Sequence, residues 1–236
     1  MKLSIIIPSY NEENTVREII EKVFAVDFGE IKYEVIFVDD GSTDGTQSIL
    51  KSLNHNFKSV VNDRRGGKSA AVRKGIELAE GDYIVTQDAD LELDPNDIKT
   101  LINHAIENNL DVVYGSRMLG SKKGTGKVSF YYMGGVFVTG FANLIYNTKI
   151  TDEPTCYKLV NSQILNRLNL KENRFGYCAE VTAKISKLGY KIHELPIKYT
   201  PRTVAEGKKI RWKDGLHAIW ILSKYRVLPK RFWLKY

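Results

Sequence analysis

Cysteine is scarce in this sequence, and its scarcity argues against two kinds of protein. Cys156 and Cys178 are the only two in 236 residues, too few for a disulfide framework, and they lack the close spacing typical of a metal site. A reducing compartment is the simpler interpretation. With 43% apolar residues, a chain of this length can bury a substantial core, which is typical of a soluble globular protein.

Long hydrophobic runs are also rare. The N-terminus "MKLSIIIPSYNEE" has only a short apolar run, whereas a signal-peptide core needs about 7–15 residues, so we predict no export. The stretch 128–148 carries no charge, but its Asn, Thr, Ser and Gly residues make it a poor membrane span. We expect a helix there that lies against the protein or in a membrane interface.

Strand and helix patterns alternate through the first half of the chain, without repeats or low-complexity segments. The strand candidates are "LSIIIP", "YEVIFVDDGS", "KSVVND", "DYIVTQDAD" and "DVVYGSR". The helix candidates between them are "EENTVREIIEKVFA", "TDGTQSILKSL", "GGKSAAVRKGIELA" and "DPNDIKTLINHAIEN". This alternation predicts an α/β fold with a doubly wound, mostly parallel sheet. We predict one domain over 1–212, and an amphipathic helix and tail over 213–236.

Polar residues follow several strand candidates in "PSYNE", "DDGS", "QDADLE" and "GSR". In open parallel sheets, ligands bind at the carboxyl ends of the strands, so we predict a site at this edge. Asp88 and Asp90, two residues apart, can reach one hard cation such as Mg²⁺ or Mn²⁺, and Glu92 continues the spacing. Such an ion could bridge to a diphosphate. The alternative is a solvated acidic loop, which suits Asp94 and Asp97 at the start of the next helix.

The net charge of +7 and the pI near 9.2 indicate an anionic partner, which could be a nucleotide, a nucleic acid or a lipid surface. A nucleic-acid-binding protein is the alternative from a different class. The acid cluster and the placement of the basic residues in loops argue against it, so we predict no nucleic acid partner. A nucleotidyltransferase is disfavoured because "PSYNEE" stands where a glycine-rich basic loop is expected.

Five motifs together resemble the family 2 inverting glycosyltransferases of the GT-A fold, which is Rossmann-like. They are "SIIIPSYNEE", "VIFVDDGSTDGT", "GGKSAAVRKGIELAEGDYIVTQDADLELDP", "GSR" and "YTPRTVAEGKKIRWKDGLHAI", the last of which is more like the polyprenyl-phosphate (dolichol-phosphate) branch. The resemblance covers 1 to about 225. It implies a UDP- or GDP-sugar donor, Mg²⁺ or Mn²⁺, inversion in one displacement, and a polyprenyl-phosphate or saccharide acceptor.

The resemblance also implies roles for individual residues on the donor side. Asp88, Asp90 and Glu92 match the metal triad, although the third position is often Gln in this branch. The basic loop around Arg202, Lys208, Lys209 and Arg211 could fold over the diphosphate. The residues matched to donor binding are Pro8, Tyr10, Asn11, Glu12, Asp39, Asp40, Lys68, Asp88, Ala89, Asp90, Arg202 and Lys208.

Two of these donor-side residues have simpler alternatives. Asp40 fits a turn with Gly41 and Ser42 almost as well as a contact with the ribose. Lys68 fits either an anion or nucleobase contact or a solvated lysine in the first turn of a helix.

On the acceptor side, Arg117 resembles an arginine that faces the acceptor phosphate. Asp152 and Glu180 match positions where relatives carry acids near the acceptor, and each could orient it, deprotonate it or be structural. A hydroxyl acceptor needs a general base, whereas a phosphate is already ionised near neutral pH, so the need for a base stays open.

The C-terminus has no acidic residue from 215 to 236, and its basic and aromatic residues are interleaved. This pattern suits an anionic bilayer interface, so we predict a cytoplasmic protein that is peripheral on the cytoplasmic face of a membrane. The alternative is a terminal helix whose aromatic residues pack on the domain. Oligomeric state is left open.

Overall fold

The computed structural model describes residues 1–62, 64–120, 130–202, 209 and 211–235. Strands and helices alternate through most of it. The strands are β1 (Lys2–Ser9), β2 (Lys32–Asp39), β3 (Lys58–Val61), β4 (Tyr83–Thr86), β5 (Val112–Ser116), β6 (Lys158–Asn161) and β7 (His193–Pro196). The helices are α1 (Val16–Phe24), α2 (Thr46–Ser52), α3 (Lys68–Leu78), α4 (Asn96–Glu107), α5 (Arg117–Gly120), α6 (Phe130–Tyr146), α7 (Ser162–Arg167), α8 (Tyr177–Leu188), α9 (Trp212–Val227) and a 3₁₀ turn, Lys230–Phe232.

The strands form one sheet in the order β3-β2-β1-β4-β6-β5-β7. Pairing is parallel except at β6, which runs antiparallel to both β4 and β5. The predicted α/β architecture with a mostly parallel sheet is confirmed. The antiparallel β6 was not predicted, because it is short and carries a lysine in an otherwise apolar run. Lys158 is fully buried there, and its ammonium donates to the Glu153 carbonyl at 2.7 Å.

Hydrophobic cores cover both faces of the sheet, as a doubly wound fold requires. Successive β1 residues alternate between them: Ile5 and Ile7 pack with α1 and α4 on one face, and Ile6 packs with α3 and α8 on the other. The second core also contains residues of α9 and its tail, including Tyr225 and Trp233. The C-terminal segment is thus packed against the sheet domain.

No helix among the described residues is long and apolar enough to cross a membrane. Helix α6 lies entirely within the uncharged stretch 128–148. It packs beside α9, and the Tyr146 hydroxyl donates to the Leu222 carbonyl at 2.7 Å. The expectation of a helix lying against the protein is met.

Helix α3 approaches β1 so closely that one position tolerates no side chain. A Cβ at Gly75 would overlap the Ile6 side chain in the core. This approach brings the first turn of α3 to the carboxyl edge of the sheet, where the polar loops gather.

We expect Gly75→Ala to destabilise the protein by about 1–3 kcal/mol, because the added methyl group overpacks the α3–β1 contact. Gly140→Ala is the matched control: Gly140 is exposed on α6 and a Cβ there meets nothing within 4 Å. The control should be neutral or stabilising by up to about 1 kcal/mol. Urea unfolding measures both. Equal stability of the two variants would contradict the close packing of α3 on β1.

Candidate functional site

The polar loops predicted from sequence do meet at one edge of the sheet. Strand β1 has β2 on one side and β4 on the other, so the connections leaving β1 and β4 diverge and open a crevice at their carboxyl ends. Residues 10–12 follow β1, Asp39 ends β2, residues 87–92 follow β4, and Ser116 ends β5. The segment that follows β7 reaches back to this edge through Arg202 and Lys209.

Asp88 is paired with Lys68, the first residue of α3. The Lys68 ammonium lies 2.5 Å from one carboxylate oxygen of Asp88 and 2.8 Å from the other. Burial would raise the pKa of Asp88, but the neighbouring ammonium lowers it below its ordinary value. In this arrangement the anion that Lys68 meets is Asp88, and its contact with a nucleotide stays a prediction.

Asp90 is paired with Arg202, from the segment after β7. The Arg202 Nη2 lies 2.9 Å from Asp90 Oδ2, and its Nη1 lies 3.3 Å from Glu12 Oε2. Burial and the nearby Asp88 carboxylate raise the pKa of Asp90 to about 6 in spite of the guanidinium. The negative charge at Asp90 is therefore only partly compensated.

Asp88, Asp90 and Glu92 are the acids predicted to hold a divalent metal. Among the described residues, no three His, Cys, Asp or Glu side chains are gathered as a metal cluster. Glu92 accepts a hydrogen bond from the Arg202 backbone at 2.9 Å, and its part in the metal triad stays a prediction. Asp88 and Asp90 nevertheless supply hard oxygen donors, and the raised pKa of Asp90 marks negative charge that a cation would offset. The aspartates fit a metal that takes its other ligands from a diphosphate, and Glu92 lies beside them, 3.8 Å from Arg202 Nε.

Lys209 also reaches the edge, although no individual role was predicted for it. Its ammonium lies 2.6 Å from Glu12 Oε1 and donates to the backbone carbonyls of Tyr10 at 2.5 Å and Asn11 at 3.3 Å. The only sequence signal for it was its place in the basic loop. Lys208, which was predicted to bind the diphosphate, lies outside the described residues.

The carboxylates of Asp39 and Asp40 are used within the protein. Asp39 is fully buried and accepts from the Ser42 hydroxyl and amide and from Gln47 Nε2 at 2.7 Å. Asp40 accepts from Asn62 Nδ2 at 2.8 Å and from two amides, Gly66 at 3.0 Å and Gly67 at 2.6 Å. Asp40 thus ties β2 to the start of α3, a contact that the sequence did not predict. Their contacts with a donor stay predictions.

The remaining donor-side residues line the same loops. Asn11, at φ 51°, accepts from the Thr43 amide at 2.8 Å, and the Arg65 guanidinium lies 3.8 Å above the Tyr10 ring. Pro8 and Ala89 are buried, so they can offer mainly backbone to a ligand.

Arg117 and Asp152 form a bidentate ion pair. Arg117 Nε and Nη2 each lie 2.7 Å from a different Asp152 oxygen, and the Arg117 amide donates to Oδ2 at 2.9 Å. Glu194 fixes the Asp152 loop by accepting from its amide at 3.1 Å. Because both Asp152 oxygens are occupied, accepting a proton would break this pair. The geometry thus favours a role for Asp152 in orienting Arg117 over a role as a general base.

Glu180 is placed differently from its suggested position near the acceptor. It is buried, and its partners are the Lys184 ammonium at 2.5 Å, the Tyr225 hydroxyl at 2.9 Å, and the amides of Lys171 at 2.8 Å and Glu172 at 2.9 Å. These contacts join α8 to α9. We therefore assign Glu180 a structural role, because its carboxylate is saturated by donors within the fold.

We expect Asp152→Asn to lower the free energy of unfolding by about 3–5 kcal/mol, since it leaves the largely buried Arg117 guanidinium without its counter-charge. The double variant Arg117→Gln/Asp152→Asn should lose less than the sum of the two single changes. Urea unfolding of the four proteins gives the coupling. Strict additivity would show that the ion pair does not fix Arg117.

Comparison with known proteins identifies the family of the chain. Residues 4–168 match the model of Glycosyl transferase family 2. Over 216 residues, 88% of the chain, it is 32% identical to the dolichol-phosphate mannosyltransferase of Pyrococcus furiosus and covers 59% of that protein. Over 123 residues, half of the chain, it is 35% identical to the dodecaprenyl-phosphate galacturonate synthase of Rhizobium johnstonii and covers 36% of it. The chain thus spans less than two thirds of the length of these relatives.

Solved structures agree on the fold. The glucosyl-3-phosphoglycerate synthase of Mycobacterium tuberculosis, in complex with Mn²⁺, UDP and phosphoglyceric acid, matches with a TM-score of 0.71 at 18% identity. The match covers 97% of this chain and 79% of that one. At this identity the likeness establishes the architecture alone.

Proposed function

Because the chain belongs to glycosyl transferase family 2, we propose that it transfers a sugar from a nucleoside-diphosphate donor to a polyprenyl phosphate, with inversion. One observation carries the proposal: the half-buried Asp88 and Asp90 follow β4, Arg202 pairs with both Asp90 and Glu12, and Lys209 pairs with Glu12. Carboxylates for a divalent ion and cations for a diphosphate are thereby within reach of one bound donor. The relatives that act on polyprenyl phosphates, by their names, support the acceptor class.

On the donor side, Asp88 and Asp90 would hold Mg²⁺ or Mn²⁺, which would neutralise charge on the departing diphosphate. Arg202 and Lys209 supply cations to the same phosphates. The UDP complex of the M. tuberculosis structure and its Mn²⁺ support a nucleotide donor with a metal, while the choice between UDP and GDP is left to experiment.

On the acceptor side, Arg117 is the cation that Asp152 orients. A guanidinium in fixed geometry suits a phosphate group. An ionised phosphate oxygen would attack the anomeric carbon as the bond from that carbon to the diphosphate oxygen breaks on the opposite face. No proton has to leave this acceptor, so the engaged state of Asp152 is compatible with the reaction.

The donor proposal is tested by thermal unfolding with UDP or GDP and Mn²⁺. We expect one nucleotide at about 100 times its dissociation constant to raise the melting temperature by roughly 5–10 °C, and only with metal. Asp90→Ala should abolish the shift. Asp94→Ala is the control, because Asp94 lies four residues further on, pairs with Lys198 and makes the turn that opens α4. Loss of the shift in both variants would remove the special role of Asp90.

The acceptor is tested by incubating the protein with labelled donor and either a polyprenyl phosphate or a free saccharide. We expect label in the lipid fraction. Label on the saccharide alone would contradict the lipid acceptor while keeping the donor half of the proposal.

The surface of α6 and α9 supports peripheral contact with a membrane, which we propose occurs on the cytoplasmic face. Each helix exposes an apolar stripe at helical spacing, and basic residues flank α9 and its tail. The exposed apolar residues are Met133, Val136, Phe137 and Leu144 on α6, and Trp212, Leu216, Trp220 and Val227 on α9. The basic residues are Lys213, Lys224, Arg226, Lys230 and Arg231.

We expect the protein to sediment with vesicles of phosphatidylcholine and phosphatidylglycerol, and less so with phosphatidylcholine alone or at high salt. Leu216→Ser/Trp220→Ser should weaken this binding by about tenfold or more, because it removes two exposed apolar side chains from α9. Ile106→Ser, an exposed apolar residue on α4, is the control and should bind as wild type does. Equal binding by all three proteins would contradict the membrane surface.

A further inference from the structure

Arg202 lies at the centre of the acidic site. Its Nη2 lies 2.9 Å from Asp90, its Nη1 lies 3.3 Å from Glu12, and its Nε lies 3.8 Å from Glu92. Its side chain is only 16% exposed. One guanidinium therefore links acids from the loop after β1 and the loop after β4.

This guanidinium occupies the carboxylate that a metal would need. Asp90 Oδ1 accepts from the Glu92 amide at 3.1 Å, and Oδ2 receives Arg202. The other metal-binding aspartate, Asp88, faces Lys68. A divalent ion that approaches Asp90 meets a fixed positive charge within a few ångströms in a largely buried site, where repulsion between like charges is much stronger than in water.

We propose that Arg202 competes with the divalent cation for Asp90, so that the metal binds tightly only together with the nucleoside diphosphate, whose phosphates take over the guanidinium. The inference rests on the proposed donor class and adds that the metal and the nucleoside diphosphate bind cooperatively. Metal and nucleotide then favour each other's binding by the same factor, as linkage requires.

Glu12 holds Arg202 near the site when the guanidinium exchanges Asp90 for a phosphate. It accepts from Arg202 through Oε2 and from Lys209 through Oε1 at 2.6 Å. When Arg202 leaves Asp90, its contact with Glu12 can keep the guanidinium beside the crevice, within reach of an incoming phosphate. Glu12 is therefore a positioning residue, a different role from the nucleotide contact expected for it from sequence.

The test compares Mn²⁺ binding without nucleotide, by electron paramagnetic resonance, in wild type, Arg202→Gln and Lys198→Gln. Lys198→Gln removes the same charge from the same segment, but Lys198 pairs with Asp94 at 3.2 Å and is largely exposed. We expect Arg202→Gln to raise the affinity for Mn²⁺ alone by about tenfold or more, and Lys198→Gln to change it less than about twofold. With UDP or GDP present, the order should reverse, and Arg202→Gln should bind the metal and nucleotide more weakly than wild type.

Affinity for Mn²⁺ alone that is equal or lower in Arg202→Gln than in wild type would overturn the inference. If wild type binds neither nucleotide, the proposed donor fails, but the comparison with metal alone still decides whether Arg202 competes for Asp90.

A measurement on wild type alone guards against a misfolded variant. Saturating Mn²⁺ should speed tryptic cleavage after Arg202, because the side chain leaves Asp90, and added nucleoside diphosphate should slow it again. Cleavage at one rate under all three conditions would also overturn the inference.

Discussion

The site depends on two ion pairs that compensate neighbouring carboxylates in a place with little water: Lys68 with Asp88, and Arg202 with Asp90. Asp88 and Asp90 follow a fully buried strand, and each is held beside one cation. Unpaired, such carboxylates would take up protons or leave the interior, because burial disfavours the charged form. The charged forms of Asp88 and Asp90 therefore depend on the positions of Lys68, at the start of α3, and Arg202, after β7.

The fold meets this requirement with residues that are far apart in sequence. Lys68 comes from the start of α3, whose position is fixed by the contact of Gly75 with Ile6 and by the hydrogen bonds of Asp40 to the Gly66 and Gly67 amides. Arg202 comes from the segment after β7, 112 residues beyond Asp90. Lys68 and Arg202, which stabilise Asp88 and Asp90, are also the cations nearest to the proposed diphosphate site. The stability of the fold and the proposed binding of a donor therefore depend on the same charges.

The sequence was enough to predict the alternation of strands and helices in the first half of the chain, the edge where polar loops collect, and the presence of Asp88, Asp90 and Arg202 at that edge. Periodicity and the position of acids after an apolar run are local signals. It was not enough for β6, whose first residue, Lys158, is buried with its ammonium bonded to the Glu153 carbonyl and the Thr182 hydroxyl. Nor could it show that Asp40 bonds the glycine amides or that Glu180 is saturated by Tyr225 and Lys184, because those contacts exist only once the chain has folded.

The antiparallel β6 has a geometric consequence for catalysis. Because it separates β4 from β5, the loop with Asp88 and the loop with Arg117 are two strand spacings apart, roughly 10 Å. Two adjacent parallel strands would have brought Asp88 and Arg117 to about half that separation. Under the proposed function, the inserted strand keeps the donor diphosphate and the acceptor phosphate far enough apart for one sugar ring to lie between them.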